Sequence, residues 1–289
     1  MNLNKISRRN FLCAAGLTTA AALTACGSSA SSAAASSAAA SSGAAAEPVE
    51  LIVFAAASLT ETLAAIGETY SAENPGVTFR FNFDSSGTLK TQIQEGADCD
   101  LFISAGQKQM NQLDSTTSAE VNTEGLDFVD AESRVDLLEN KVVLAVPEGN
   151  PADIQSFEDI GTDRCKRIAL GNEDVPVGSY SVEILTNLGI LDELESGNKI
   201  TYGSNVKEVT TQVSEASVDA GVVYCTDAYS AGLTPVDEAT KEMCGQVIYP
   251  AAVMKAAPNA DAAKAFLAYL QTEEAMTVFE GVGFSAVAQ

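Results

Sequence analysis

The chain has 289 residues, enough for one large domain or two of ordinary size, and sets 39 Asp and Glu against 16 Lys and Arg for a formal net charge of -23. A surface of that sign repels polyanions, so nucleic acid is excluded as a partner. There is no His and no Trp, which removes imidazole metal ligands and bases together with the Ser-His-Asp and Cys-His nucleophile systems.

The first segment reads as an address. Lys5, Arg8 and Arg9 precede a short, mildly apolar run over residues 11–25, which Leu23-Thr24-Ala25-Cys26 closes on small residues before a Cys. The run is too short for a stable membrane span. It resembles the signal peptide and lipobox of bacterial lipoproteins, which implies cleavage after residue 25 and a lipid on Cys26, the new first residue. Cleavage without lipid is the alternative. Ser7-Arg8-Arg9-Asn10-Phe11-Leu12 also resembles the twin-arginine export motif, with Cys13 where that pattern has Lys, and the ordinary secretory route stays open. Residues 27–46 contain only Gly, Ser and Ala, so no large apolar side chain there offsets ordering entropy, and 26–48 is expected to be a flexible tether. Loss of residues 1–25 takes three basic and no acidic side chains, which leaves 13 against 39, or -26. The expected product is an exported domain, lipid-anchored on the outer face of the cell membrane and repelled by anionic headgroups.

From residue 49 onward strand-like runs alternate with amphipathic helices, the pattern of an α/β fold with mostly parallel sheets. Residues 49–56 form an apolar strand. Ser58 with Glu61 three residues on predicts a capping box, and Leu59, Leu63, Ile66 and Tyr70 share one helical face. Asn74-Pro75-Gly76 ends that helix, 77–83 alternates as a strand, and Ser85-Ser86-Gly87-Thr88 opens a second helix before a strand at 101–104. Strands follow at 141–146, 167–170, 221–224 and 247–254, with helices at 180–188, 206–218, 261–269 and 273–280. The last part lacks enough sheet to stand alone. The expected fold is therefore a two-lobed clamshell: 49–144 plus 226–289 as one lobe, 145–225 as the other, two crossings at the hinge and a cleft between.

Beyond Cys13 and Cys26 the chain has Cys99, Cys165, Cys225 and Cys244, which allow disulfides in an exported protein but show no zinc or CxxC spacing. A buried free thiol is the simpler expectation for Cys99 and Cys225, which flank apolar runs.

The runs Val53-Phe54-Ala55-Ala56-Ala57-Ser58-Leu59-Thr60, Ser85-Ser86-Gly87-Thr88-Leu89, Asp100-Leu101-Phe102-Ile103-Ser104-Ala105, Val175-Pro176-Val177-Gly178 and Gly221-Val222-Val223-Tyr224, with Gly283-Phe284, resemble the molybdate-binding proteins of ABC importers. The resemblance spans residues 49 to 284 in order. It implies a periplasmic-binding-protein clamshell that holds molybdate or tungstate between its lobes and passes it to a membrane permease with a cytoplasmic ATPase. It implies no enzymatic activity and no cofactor, and a monomer is expected. Carried over residue by residue, it assigns the ligand to Ser58 and Ser86 of the first lobe and Val177, Val206 and Tyr224 of the second. The serines would give hydroxyl and backbone N–H groups, the valines backbone N–H, and Tyr224 its phenol. Molybdenum would enter only as the oxyanion, without side-chain coordination. Val177 stands where Ala is usual, and Gly87 where some relatives have a third Ser.

The chemistry is coherent without the family. Helix N-termini present unpaired N–H groups and partial positive charge, so several of them converging can hold an anion without Lys or Arg. Neutral fixed donors suit a fully deprotonated dianion and leave the proton of hydrogen phosphate without an acceptor. Each residue also has a plainer role: Ser as a helix cap, Val in the core, Tyr224 as a buried aromatic. Binding of sulfate, phosphate or an organic acid is the alternative function. A Ser86–Lys90 hydrolase dyad, four apart on one helical face, is a remoter one.

Overall fold

The computed structural model describes residues 48–287, so the signal peptide, Cys26 and nearly all of the tether lie outside the described residues. In chain order the first half of one lobe comprises β1 (Val49–Ala56), α1 (Thr60–Glu73), β2 (Val77–Asp84), α2 (Ser86–Gln94), β3 (Leu101–Ile103), α3 (Gln107–Leu113) and β4 (Val135–Asn140). The chain then enters a second sheet with β5 (Val142–Val146), β6 (Ile168–Gly171), α4 (Pro176–Asn187), α5 (Leu191–Ser196), β7 (Ile200–Gly203), α6 (Val206–Ser214), β8 (Ala220–Tyr224), α7 (Cys225–Ser230) and β9 (Thr234–Glu238). It returns through α8 (Lys241–Cys244) to complete the first lobe with β10 (Val247–Val253), α9 (Ala260–Tyr269), α10 (Glu273–Glu280) and β11 (Ser285–Ala286).

The first sheet runs β11-β4-β10-β3-β1-β2 and the second β7-β6-β8-β5-β9. Within them β1, β2 and β3 are parallel, as are β6, β7 and β8, and each carries the βα turns of the site. The remaining strands pair antiparallel, so the sheets are mixed rather than mostly parallel. The reason is the connectivity: β5 and β10 enter from the opposite lobe, and each runs against both of its neighbours, β8 and β9 for β5, β3 and β4 for β10.

The crossings also move. Strand β5 pairs with β8 and β9, so Val142 already belongs to the second sheet, and β9 keeps the chain there until Glu238. The lobes are therefore joined at residue 141 and over 239–246, where the sequence had suggested positions near 145 and 226.

Strand alternation divides the first core. Leu51, Val53 and Ala55 of β1 face α1, α9 and α10 with Leu63, Ile66, Phe266 and Phe279. Ile52 and Phe54 face the other way, onto Leu89, Ile93, Phe102 and Met110 of α2, β3 and α3. Strands β5, β8 and β10 are buried along their whole length, as continuous apolar runs covered on both faces require. The register of β10 against β4 shifts at Tyr249/Pro250, where Pro250 has no N–H to donate to a ladder. Cys99, Cys165, Cys225 and Cys244 are free thiols, and burial pushes Cys165 and Cys244 up to about 11.

Candidate functional site

Every parallel strand delivers its carboxyl end to the same place, the position at which open α/β sheets bind ligands. Strand β1 runs into a 3-10 turn at Ala57–Leu59, and Ser58 sits in it. Strand β2 leads to Ser85 and Ser86, and β3 to Ser104 and Ala105. In the other lobe β6 leads to Val175, Pro176 and Val177, β7 to Asn205 and Val206, and β8 ends on Tyr224. Between the two sets lies a small cavity of about 10 Å³, lined by Ser58, Asp84, Ser85, Ser86, Ala105, Val175, Pro176, Val206 and Tyr224 together with Ala56 and Ala57.

Four of the five residues expected from the sequence thus meet on one cavity: Ser58, Ser86, Val206 and Tyr224. Val177 does not line it. Its side chain is in the core, and Val175 and Pro176 form that wall. Pro176 is the first residue of α4 and carries no N–H, so the first backbone donor of this helix belongs to Val177. Gly178 follows because the strand end comes too close for a side chain: a Cβ there would lie 2.3 Å from the Gly171 carbonyl oxygen.

The cap differs from expectation at α1 and agrees at α2. Ser58 caps nothing: α1 begins at Thr60 after Leu59, and the Ser58 hydroxyl is 3.0 Å from Tyr249 Oη. Glu61 does not close a capping box but reaches Lys207 of the other lobe at 2.8 Å. At α2, Ser85 is the cap, its Oγ accepting from the Thr88 N–H at 3.1 Å, which places Ser86 at the first helical position. At α6, Asn205 Oδ1 accepts from the Glu208 N–H and Glu208 in turn accepts from the Ser204 N–H. First-turn N–H groups have no partner inside their own helix, so Ser86, Val177 and Val206 each offer one. The lining contains no Lys or Arg among the described residues.

Ala105 ties the cavity together. Its N–H donates to Ser86 Oγ at 2.9 Å, and its carbonyl accepts from Tyr224 Oη at 3.2 Å across the cleft. With one lone pair of Ser86 taken by a pure donor, its hydroxyl proton is free for an acceptor in the cavity. Burial above all, then neighbouring Tyr249, Tyr180 and Asp227, hold the Tyr224 phenol well above its ordinary pKa, so it remains a proton donor. Lys90 Nζ donates to Gln112 rather than to Ser86, and no dyad forms.

The lobes touch directly. Gly87 N–H donates to the Asp174 carbonyl at 2.9 Å, and a Cβ at Gly87 would lie 2.5 Å from that same oxygen. The missing third Ser is thereby explained: backbone of the opposite lobe occupies the space a side chain would need.

Two features were not legible in the sequence. Asp84 lines the cavity, with its Oδ1 accepting from the Ser85 N–H at 2.7 Å. Asp227, behind Tyr224, is fully buried with neither carboxyl oxygen hydrogen-bonded among the described residues, and Lys207 Nζ stands 3.5 Å from its Oδ1. Buried Asp100, by contrast, accepts from the N–H groups of Ile52 and Asn259. Burial pushes the Asp227 carboxyl up to about 7, against the opposing pull of Lys207. An unfolded Asp ionises near 3.9, so between about pH 4 and 7 the folded state holds a proton that the unfolded state has lost, and stability falls as pH rises through that window. Asp227→Asn is expected to raise the melting temperature more at pH 8 than at pH 5. An equal gain at both, read by thermal denaturation, would contradict this account of Asp227.

The chain is similar to known proteins over most of its length. Residues 51–285 match the model of the bacterial extracellular solute-binding protein family. A putative ABC transporter substrate-binding lipoprotein of Bacillus subtilis, YvgL, is 37% identical over 82% of this chain and 87% of its own length. The molybdate-binding protein ModA of Haemophilus influenzae is 33% identical over 83% and 92% respectively. Among solved structures, the substrate-binding domain of a putative molybdenum ABC transporter from Clostridium difficile superposes with a TM-score of 0.61 at 36% identity, over 83% of this chain and 99% of that one. The Azotobacter vinelandii periplasmic molybdate-binding protein shares the fold at a TM-score of 0.71 and 23% identity, over 83% and 100%. Family model and relatives agree: the chain belongs to the bacterial extracellular solute-binding proteins.

Proposed function

We propose that this protein binds molybdate, and tungstate with it, in the interlobe cavity and delivers it to an ABC permease driven by a cytoplasmic ATPase. The observation that carries this reading is the convergence of strand-end turns from both sheets on one small cavity lined by hydroxyl and backbone N–H donors and by no cation. Ser58, Ser86 and Tyr224 would donate through hydroxyls, and Val177 and Val206 through backbone N–H groups at the starts of α4 and α6. Such bonds to a charged acceptor are about twice as strong as neutral ones and need no counter-charge. The names of the relatives point to the same ligand. Membership of a solute-binding family supports transport rather than catalysis.

Asp84 supports a second reading. A carboxylate in the wall can accept the proton that hydrogen phosphate carries, which purely donating walls cannot. A thermal-shift panel of molybdate, tungstate, sulfate and phosphate separates the two. Molybdate and tungstate at about 100 times the dissociation constant should stabilise the fold by roughly 2.7 kcal/mol, with sulfate and phosphate giving much less at equal concentration. Equal protection by phosphate would transfer the assignment to the second reading.

We also infer that Cys26 carries lipid and holds a monomeric domain at the outer face of the membrane, through the Gly/Ser/Ala tether. The lipobox-like run Leu23-Thr24-Ala25 before Cys26 supports it. Among the described residues no helix is long and apolar enough to cross a membrane. Cys26→Ser should leave the membrane fraction, and a variant that stays there with its first 25 residues removed would refute the anchor.

A further inference from the structure

We infer that Asn140 and Tyr249 are positioning residues that fix the direction of the Ser58 hydroxyl, so that its proton is presented to a bound oxyanion. The inference rests on the cavity being an oxyanion site. Its geometry lies in a buried chain of polar groups running from the first crossing to the cavity.

Asn140, the last residue of β4, is buried and uses its whole amide. Its Oδ1 accepts from the Lys141 N–H at 2.8 Å, and since a backbone N–H can only donate, this bond identifies the oxygen and hence the nitrogen. The nitrogen then donates to Thr226 Oγ1 of the second lobe at 2.9 Å and to Tyr249 Oη at 3.1 Å. Tyr249, fully buried, therefore accepts from Asn140. Among the described residues its remaining hydroxyl neighbours are Ser58 Oγ at 3.0 Å and Tyr224, and we assign the phenol proton to Ser58, the one within close hydrogen-bond distance. Burial holds that phenol well above its ordinary pKa, and the proton stays on the oxygen. Ser58 Oγ, having accepted from Tyr249, is left with its own proton to give, and the cavity is where Ser58 is lined up. The direction of each bond is set by the one before it, starting from a backbone N–H that cannot reverse. Ser86 receives the same treatment from the Ala105 N–H, so both serines face the cavity as donors.

The arrangement couples selectivity to the hinge. Asn140 sits where the chain leaves the first sheet and bonds Thr226 of the second, so the amide that polarises Tyr249 is itself held by both lobes. A free Ser58 hydroxyl could turn its lone pair to the proton of hydrogen phosphate, whereas one already accepting from Tyr249 is biased against it.

Two readouts test this. In molybdate titrations Ser58→Ala and Tyr249→Phe should each weaken binding about tenfold, and the double variant should be scarcely weaker than either alone, because Tyr249 acts through Ser58. Tyr249→Phe should also narrow the ratio of molybdate to phosphate affinity severalfold, which loosened packing alone would leave unchanged. Additive losses with an unchanged ratio would overturn the inference. The second readout needs no ligand: the Raman tyrosine doublet of Tyr249, isolated as the difference between the protein and Tyr249→Phe, should show a phenol that both donates and accepts. It should shift toward an accepting phenol in Ser58→Ala, and an unmoved doublet would overturn the inference. Failure of the unsubstituted protein to bind molybdate would instead refute the ligand assignment, and the ligand-free spectrum would still decide the direction of the chain.

Discussion

Gly87→Ala is expected to weaken molybdate binding by about tenfold to a hundredfold while barely changing the stability of the ligand-free protein. The added Cβ would lie 2.5, 2.7 and 2.8 Å from the carbonyl oxygen, Cα and Cβ of Asp174. Two of these are backbone atoms of the opposite lobe and cannot rotate aside. Overpacking of this kind costs about 1–3 kcal/mol, and each 1.4 kcal/mol is tenfold in affinity. The clash exists only where the lobes meet, so separation relieves it, along with loss of the Gly87 N–H bond to Asp174. Small-angle scattering should show the unsubstituted protein compacting on addition of molybdate and Gly87→Ala compacting less. A variant that binds and compacts like its parent would mean that the ligand is held without this contact between lobes.

Tyr224→Phe should weaken binding by about 1.5–3 kcal/mol, the worth of a hydrogen bond to a charged group. Its phenol is buried, neutral and on the cavity wall, and in the present structure it donates to the Ala105 carbonyl at 3.2 Å, long for a hydroxyl donor. An anion oxygen competes easily for that proton. Ser86→Ala should lose less affinity, because the backbone donor at the start of α2 survives. It should lose stability instead, since the buried Ala105 N–H would be left without its 2.9 Å acceptor, at about 1–3 kcal/mol. Calorimetric titration and denaturant melts of the two variants separate these effects. Unimpaired molybdate binding by Tyr224→Phe would remove Tyr224 from the site.

What could be read from the sequence follows from where the information lies. Strand β1 was placed at its observed bounds because a buried parallel strand is a continuous apolar run. Strand β4 is not legible because Val135–Asn140 interleaves Asp136, Glu139 and Asn140 with its apolar residues, and neither is β9, because Pro235 interrupts it. Antiparallel pairing leaves no local trace at all, and so β5 and β9 were divided wrongly between the lobes. Ser86, Val206 and Tyr224 were legible through motifs at strand ends. Asn140 and Tyr249 were not, because their functions are defined by partners 109 and 191 residues apart in the chain. Ser58 was found for its place in a motif, but its predicted cap was displaced by a tertiary bond to Tyr249, an instance of long-range geometry overriding a local preference.

The central claim, that neutral donors in a strongly acidic protein hold a dianion, is tested most directly by the salt dependence of molybdate affinity. At about 0.1 M ionic strength the Debye length is about 10 Å, so added salt screens the repulsion from distant surface carboxylates and leaves short hydrogen bonds in the cavity intact. Titration calorimetry from about 0.05 to 0.5 M sodium chloride should return a dissociation constant that is unchanged or slightly lower at high salt. A dissociation constant rising tenfold or more over that range would show that unscreened cationic side chains hold the anion, and would contradict the account.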